Sequence, residues 1–460
     1  MLHSSKLKLP VWEAALILFL IIALLSTGII YFSVSPHLPM IFSIMLLLAF
    51  GFIKKVPIKE MERGLLEGAS SGLGAIYIFF FIGMLISSWM ISGTIPTLMY
   101  YGFQLFSEMP LYFSAFIVTS IVGICIGSAF TTSATIGVAF LGMASAVDAS
   151  LAVTAGAIVS GAFLGDKMSP LSDTTNLASE TVGVPLFEHI KNMLWTTVPG
   201  FVISAAIFFV LSPAAGEKTG DIAAFLHALQ ENSFISPLAL LPFVVVALMA
   251  ILRVSAIPTL SFGILSAIII AFLQDSAVTV QQMADILFSG FVMESDLPQL
   301  NDVLSRGGIE SMMFSVSLVL LALGMGGLLF RLGIIPSLLN AIEASLKNVF
   351  SLITATALTA IGINFFIGEQ YLSILLTGKT YEGQYDKLGY ARKTLARVLE
   401  DTGTVINPLI PWGVSGVFVS GVLGVSTLDY LPFAFFCLMG PVLTFFSAIT
   451  KIGLAKTEKN

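Results

Sequence analysis

Gly161-Ala162-Phe163-Leu164-Gly165-Asp166-Lys167-Met168-Ser169-Pro170-Leu171-Ser172-Asp173-Thr174-Thr175-Asn176 sets two aspartates, a lysine, hydroxyls and an amide directly after an apolar, helix-like run. Pro170 and the two glycines argue against one continuous helix. The flanking sequence is apolar enough to place the segment within or beside a lipid bilayer. Unwound backbone at that depth is tolerated only where it is buried in protein or lines a water-filled cavity. Ionisable groups there are costly and mark ion or substrate pathways.

Bulk composition agrees. Of 460 residues, 57% are hydrophobic and 10% are charged, against roughly 25% charged in an average soluble domain. The mean hydropathy is +0.97. Apolar runs recur at Trp12–Phe32 (Glu13 apart), Pro39–Ile53, Ile76–Met90, Leu111–Ile126, Met193–Leu211, Phe234–Leu252 and Val254–Leu273. Ser311–Phe330, Phe350–Ile367, Ile406–Val425 and Leu431–Ile449 follow. A spanning helix needs about 20 mainly apolar residues, and several runs are shorter. The expectation is an all-α polytopic membrane protein of about ten to twelve spanning elements, some of them broken. The first run lacks a small-residue cleavage site and reads as a retained helix rather than a signal peptide. Cys125 and Cys437 lie in apolar runs, which points to packing rather than a disulfide or metal site. The net charge of −6 says little, since most charge sits in loops.

The chain also repeats itself. Ser92-Gly93-Thr94-Ile95-Pro96-Thr97-Leu98 matches Leu332-Gly333-Ile334-Ile335-Pro336-Ser337-Leu338. Ile126-Gly127-Ser128 matches Ile367-Gly368-Glu369, and Ser169-Pro170-Leu171 matches Asn407-Pro408-Leu409. Three weak matches in one order, at nearly one offset, indicate internal duplication. Lys54, Lys55, Lys59 and Arg63 precede the first core, whereas the equivalent stretch of the second half is acidic, with Arg306 alone basic. Later the asymmetry reverses. Residues 138–156 hold no Lys or Arg, and their counterpart holds Lys379, Lys387, Arg392, Lys393 and Arg397. Cytoplasmic loops are rich in Lys and Arg, so the repeats should be inverted, with a site near the midplane where they meet. The expected organisation is N-terminal helices at 1–53, repeats at 54–212 and 275–449, linker and connecting helices at 213–274, and a cytoplasmic tail at 450–460. Basic residues near both ends place both termini in the cytoplasm. Ser212–Asp221 is the most polar mid-chain linker and reads as a solvated loop.

Four segments carry polar groups inside the repeats. Gly123–Gly137 breaks an apolar run with Ser128, Thr131, Thr132, Ser133 and Thr135. Hydroxyl and carbonyl oxygens suit a hard cation such as sodium, and close helix packing is the competing explanation. The opening segment supplies Asp166 and Asp173. A carboxylate in a partly dry cavity can take either a proton or a cation. Asn364–Ser373 adds Glu369, at the position of Ser128 in the other half. Leu399–Gly413 adds Asp401, Thr402 and Asn407 beside two prolines and two glycines; Asp401 also suits a helix N-cap. His3, His37, His189 and His227 do not cluster, so no histidine metal site or catalytic triad is indicated. No GxxxxGK[ST] loop occurs, which argues against ATP-driven transport. Arg253, between two apolar runs, reads as a loop anchor. No nucleophile–base pair suggests an enzyme, and no basic patch interleaved with aromatics suggests nucleic acid.

At Gly165–Asn176 the chain resembles the NhaC family of sodium/proton antiporters. Gly127–Gly137, Gly368-Glu369-Gln370-Tyr371 and Asp401-Thr402-Gly403-Thr404 with Pro408-Leu409-Ile410-Pro411-Trp412 are similar to further motifs of that family. Ala129-Phe130-Thr131-Thr132 departs from its pattern near the expected cavity. The resemblance implies an ion-transporter-superfamily fold of inverted repeats, each with a re-entrant hairpin and a broken helix. It also implies sodium/proton exchange in the cell membrane without a cofactor. Asp173 would carry sodium and protons in turn, Asp166 would tune it or form part of the sodium site, and Glu369 and Asp401 are further candidate carriers. Ser172, Thr174, Asn176, Thr132 and Asn407 are candidate oxygen ligands or supports, and Ser128, Ser133 and Thr402 would support the cavity. The partners are then sodium, protons and the bilayer. A small carboxylate such as malate or lactate is the alternative cargo, and a homodimer is the assembly left open.

Overall fold

The computed structural model describes residues 7–456, apart from residues 33, 107–108, 214–218, 275–276, 344–345 and 347. Apart from an isolated bridge between Tyr390 and Lys456, every regular element among the described residues is helical. Eight helices are long and apolar enough to cross a membrane, and three sharply bent pairs raise the number to 11 if each is one span. Eleven lies within the range expected from the apolar runs. The run Phe234–Leu252 is not one straight helix, however. It forms the later limb of a pair, Ala224–Asn232 and Pro237–Ile251, bent by 85°. Ser236 caps the new start and Pro237 follows it, an arrangement that begins a helix rather than continuing one. The polar linker lies partly outside the described residues, and from Thr219 onward it is already helical.

Helices α1 (Val11–Ser26), α2 (His37–Ile53) and α3 (Ile58–Ser70) precede the first half. The first half contains α4 (Leu73–Ile91), α5 (Thr94–Phe106), α6 (Leu111–Ile126), α7 (Ala129–Ala146), α8 (Leu151–Met168), α9 (Asp173–Val182) and α10 (Leu186–Leu211). Connecting helices α11 (Thr219–Asn232), α12 (Leu241–Ile251), α13 (Ala256–Gln274), α14 (Val280–Ser289) and α15 (Pro298–Leu304) lead to the second half. There α16 (Ile309–Arg331), α17 (Ile334–Glu343), α18 (Val349–Ile367), α19 (Gln370–Lys387), α20 (Arg392–Leu409), α21 (Val414–Leu423) and α22 (Phe435–Thr450) repeat the order of α4 to α10.

The backbone breaks coincide as well. Gly93 and Gly333 have φ of 74° and 76°, and Gly127 and Gly368 have 72° and 80°. This left-handed region suits glycine, which lacks the Cβ that would clash. Gly127 ends α6 and Gly368 ends α18, each through an N–H···O bond of 2.7 Å to the carbonyl four residues back. The halves then interlock reciprocally. The first half's α9 packs on the second half's α19, and the second half's α21 packs on the first half's α7.

Close helix approach sets the spacing of the first half. α6 packs along α8, and a Cβ built on Gly165 would lie 2.5 Å from the Gly123 Cα. Small residues at this crossing let the backbones meet, as they do between helices in membranes. Gly165 is followed directly by Asp166 and Lys167, so the crossing fixes where the first charged pair sits.

A candidate ion-binding site at four broken helices

Four helix starts converge on one cavity of about 660 Å³. They are the first residues of α7, α9, α19 and α21, represented in its wall by Ser128, Asp173, Glu369 and Val414. Each start follows a break imposed by the local sequence. Gly127 and Gly368 terminate the helices before α7 and α19, Ser169-Pro170 separates α8 from α9, and Pro408 sits in the last turn of α20 with Pro411 in the gap before α21. Helix N-termini carry partial positive charge, which favours a carboxylate placed on them. Asp173 is the first residue of α9, and Glu369 is the N-cap of α19.

Ser128 and Glu369 perform the same local task. The Ser128 hydroxyl accepts the Thr131 N–H at 3.3 Å, and the Glu369 carboxylate accepts the Leu372 N–H at 2.7 Å. Both line the cavity, so the duplicated cap carries a hydroxyl in one half and a carboxyl group in the other. Asp166, at the end of α8, also lines the cavity, and its Oδ1 is buried without a hydrogen-bond partner among the described residues. Asp173 is exposed to the cavity and accepts a hydrogen bond from the Tyr371 hydroxyl at 2.7 Å. Three acids thus face one space. Arg253, expected as a loop anchor, is also exposed at this cavity. It stands between α12 and α13, where φ is 61°.

The remaining sequence candidates divide between bracing the breaks and packing. The Asn176 amide donates to the Pro170 carbonyl at 3.1 Å and the Ser172 carbonyl at 2.6 Å, across the gap before α9, and Asn176 also lines the cavity. Asn407 braces the second half by donating to Asn364 Oδ1 at 2.8 Å and the Gly368 carbonyl at 3.1 Å, and by accepting the Ser415 N–H at 2.7 Å. Ser172 caps α9 and lies 3.0 Å from the Thr174 hydroxyl. The hydroxyls of Thr132 and Thr402 bond the carbonyls of Ser128 and Val398 one turn earlier. These two are committed to their own helices. Ser133 is buried in a π-helical turn, Ser133–Gly137, and its hydroxyl has no hydrogen-bond partner among the described residues.

Asp401 is not a helix N-cap and does not line the cavity. It lies in a second π-helical turn, Glu400–Thr404, and forms a buried ion pair with Lys167. Thr196 and Thr444 donate to it at 3.0 and 2.9 Å, and the Arg397 Nε lies 3.9 Å away. One carboxylate therefore ties α8, α10 and α22 together. A buried pair satisfied in this way is costly to break from either side. Glu400, the neighbour that sequence reading passed over, is fully buried, and neither carboxylate oxygen has a hydrogen-bond partner among the described residues. Its adjacency to Asp401 was the available signal.

The sequence profile described as the Na+/H+ antiporter family matches residues 161–452. The chain is 43% identical over 452 residues to the Na(+)/H(+) antiporter NhaC of Alkalihalophilus pseudofirmus, covering 98% of each. The chain belongs to the Na+/H+ antiporter family. It is also 38% identical to the Na(+)/H(+) antiporter NhaC of Bacillus subtilis, over 97% of this chain and 99% of that one. A third relative, the Malate-2H(+)/Na(+)-lactate antiporter of Bacillus subtilis, is 32% identical over 93% of this chain and 92% of its own.

Family membership assigns the match at residues 161–452 to the part of the chain that holds Asp166, Asp173, Glu369 and Asp401. Ser128 and the α7 break lie before it. The cavity of this antiporter-family protein is therefore built from both the profiled segment and the helices that precede it.

Proposed function

We propose that the protein exchanges sodium for protons across the cell membrane, with Asp173 taking the two cations in turn. The observation that carries this reading is the meeting of Asp166, Asp173 and Glu369 at one cavity formed by four helix breaks. Carboxylates grouped in a partly dry space repel one another unless protons or cations neutralise them. Alternating sodium and protons would satisfy that need. Asp166 completes the sodium site through its unpartnered oxygen, and Glu369 adds charge from the other half. Asn176 offers an amide oxygen in the same wall, while the Ser128 hydroxyl is engaged by Thr131.

The two halves cross the membrane in opposite senses in this reading, supported by the reversed loop charges and the reciprocal packing of α9 on α19 and α21 on α7. One half-built bundle moves against a scaffold to expose the cavity to each side, and both termini face the cytoplasm. Each net charge moved is worth about 2.3 kcal/mol per 100 mV. Unequal counts of protons and sodium would let voltage drive sodium outward.

A second reading, exchange of small carboxylates coupled to sodium, is favoured by Arg253 at the cavity and by the positive helix ends that meet there. Sealed proteoliposomes separate the two. A sodium pulse without organic acid should move protons in wild type and not in Asp173→Ala. Proton movement that appears only with malate or lactate would replace the first reading with the second.

A further inference from the structure

Phe130 and Tyr371 occupy the same place in the two halves. Each is the second residue of its helix, α7 and α19, and the third after the glycine that ends the helix before. Both line the cavity. Each also meets a half-helix of the opposite half, and the two contacts differ in chemistry. Tyr371 donates its hydroxyl to Asp173 at the start of α9, and it is 38% exposed. Phe130 instead stacks on Phe418 of α21, with ring centroids 4.2 Å apart and an interplanar angle of 23°. Phe79 of α4 completes the group, its ring 5.1 Å from Phe418 and 6.3 Å from Phe130. Phe79 and Phe418 are fully buried and stand outside the cavity wall that Phe130 forms.

Exchanging the halves carries α7 onto α19 and α21 onto α9, so it carries one contact onto the other. Halves of opposite orientation put these two contacts on opposite sides of the midplane. The contact between α9 and α19 is polar, and Asp173 there is exposed. The contact between α7 and α21 is made of packed rings. Phenyl rings offer an ion no oxygen, and an apolar constriction shuts out water and ions. The cavity is therefore reachable at one contact and stoppered at the other. The stopper takes Phe130 from the first half and Phe418 from the second, so movement of one half against the other parts the rings.

We propose that the rings of Phe79, Phe130 and Phe418 are the gate that seals the ion cavity from one side of the membrane, and that parting Phe130 from Phe418 opens that side. This rests on the sodium/proton reading and on the inverted halves. Coupling then depends on the seal. While ions enter past Tyr371, the closed rings prevent a continuous path through the protein.

The test compares sodium and proton movement in sealed proteoliposomes, read by radioactive sodium and a pH dye. Wild type should move the two in a fixed ratio. Phe418→Leu keeps an apolar side chain and loses the stack, so sodium should leak down its gradient and the sodium moved per proton should rise. A wild-type ratio in Phe418→Leu, whatever the total flux, would show the rings to be packing and overturn the proposal. Wild type without sodium-dependent proton flux would instead sink the exchange reading itself. A second measurement tests opening and does not depend on that variant. Phe130→Cys/Phe418→Cys, made together with Cys125→Ala and Cys437→Ala, is bridged by a bifunctional thiol reagent that a reductant cleaves. Bridged protein should still bind radioactive sodium but exchange none for protons, and reduction should restore exchange. Exchange that persists in fully bridged protein also overturns the gate.

Discussion

The Tyr371 hydroxyl donates to the Asp173 carboxylate at 2.7 Å, joining the first turn of α19 to the first residue of α9. The contact crosses between halves and lies at the cavity. Tyr371→Phe removes this donor and keeps the ring. A hydrogen bond to a charged group is worth about 1.5–3 kcal/mol. The bond orients the carboxylate that sodium would meet, and without the donor that carboxylate is free to turn away. The half-saturating sodium concentration should therefore rise about tenfold. Radioactive sodium uptake checks this. An unchanged half-saturating concentration would show that the bond does not position the carboxylate for sodium.

Lys167 and Asp401 are 234 residues apart in sequence and buried together. Lys167→Met leaves Asp401 with two threonine donors and Arg397, and Asp401→Asn leaves Lys167 without its counter-charge. Breaking one side of a buried pair costs about 3–5 kcal/mol. Each single variant should therefore melt well below wild type. The double variant Lys167→Met/Asp401→Asn should recover part of that loss, because no isolated ammonium remains buried. Additive losses in a thermal-unfolding double-mutant cycle would show that the two groups are not coupled.

The breaks of this fold were legible because they need special residues. Gly127 and Gly368 recur at nearly the repeat offset since both occupy left-handed backbone at helix ends, and Ser169-Pro170 and Asn407-Pro408 recur since proline cannot continue the ladder. The partners across the breaks were not legible. Nothing local to Lys167 announces Asp401, and nothing near Tyr371 announces Asp173. Asp401 looked suited to an N-cap because a break follows it, but the chain first makes a π-helical turn and the carboxylate turns toward Lys167. Thr132 and Thr402 looked like cavity oxygens from composition alone. Their hydroxyls bond carbonyls one turn back, an option that hydroxyl composition does not reveal.

Gly165 offers a test of how the α6–α8 crossing positions the site. A Cβ there would meet backbone on α6, 2.5 Å from the Gly123 Cα and 2.7 Å from the Ile124 N. Backbone cannot rotate away as a side-chain tip can, so Gly165→Ala must part the helices. Overpacking of this kind costs about 1–3 kcal/mol. Asp166 and Lys167 follow directly and would shift with α8. Sodium-driven proton flux should fall more steeply than the fraction of protein that remains folded. Flux that declines only in step with folded protein would show the crossing to be a packing contact alone.

Glu369 combines two roles that substitution can separate. Its carboxylate caps α19 through the Leu372 N–H at 2.7 Å, and it faces the cavity with Asp166 and Asp173. Glutamine retains a side-chain oxygen for the cap and removes the charge, whereas alanine removes both. Loss of an N-cap costs about 1 kcal/mol. Glu369→Gln should keep the wild-type melting temperature but bind sodium more weakly, because one of the three carboxyl groups at the cavity can no longer supply negative charge. Glu369→Ala should show the same weakening and a lower melting temperature. Ser128→Ala supplies the control from the other half, removing the equivalent cap with no change of charge. It should therefore lower stability and leave sodium affinity nearly unchanged. Sodium affinity that falls equally in Ser128→Ala and Glu369→Gln would mean that the cap geometry, rather than the charge on Glu369, sets binding.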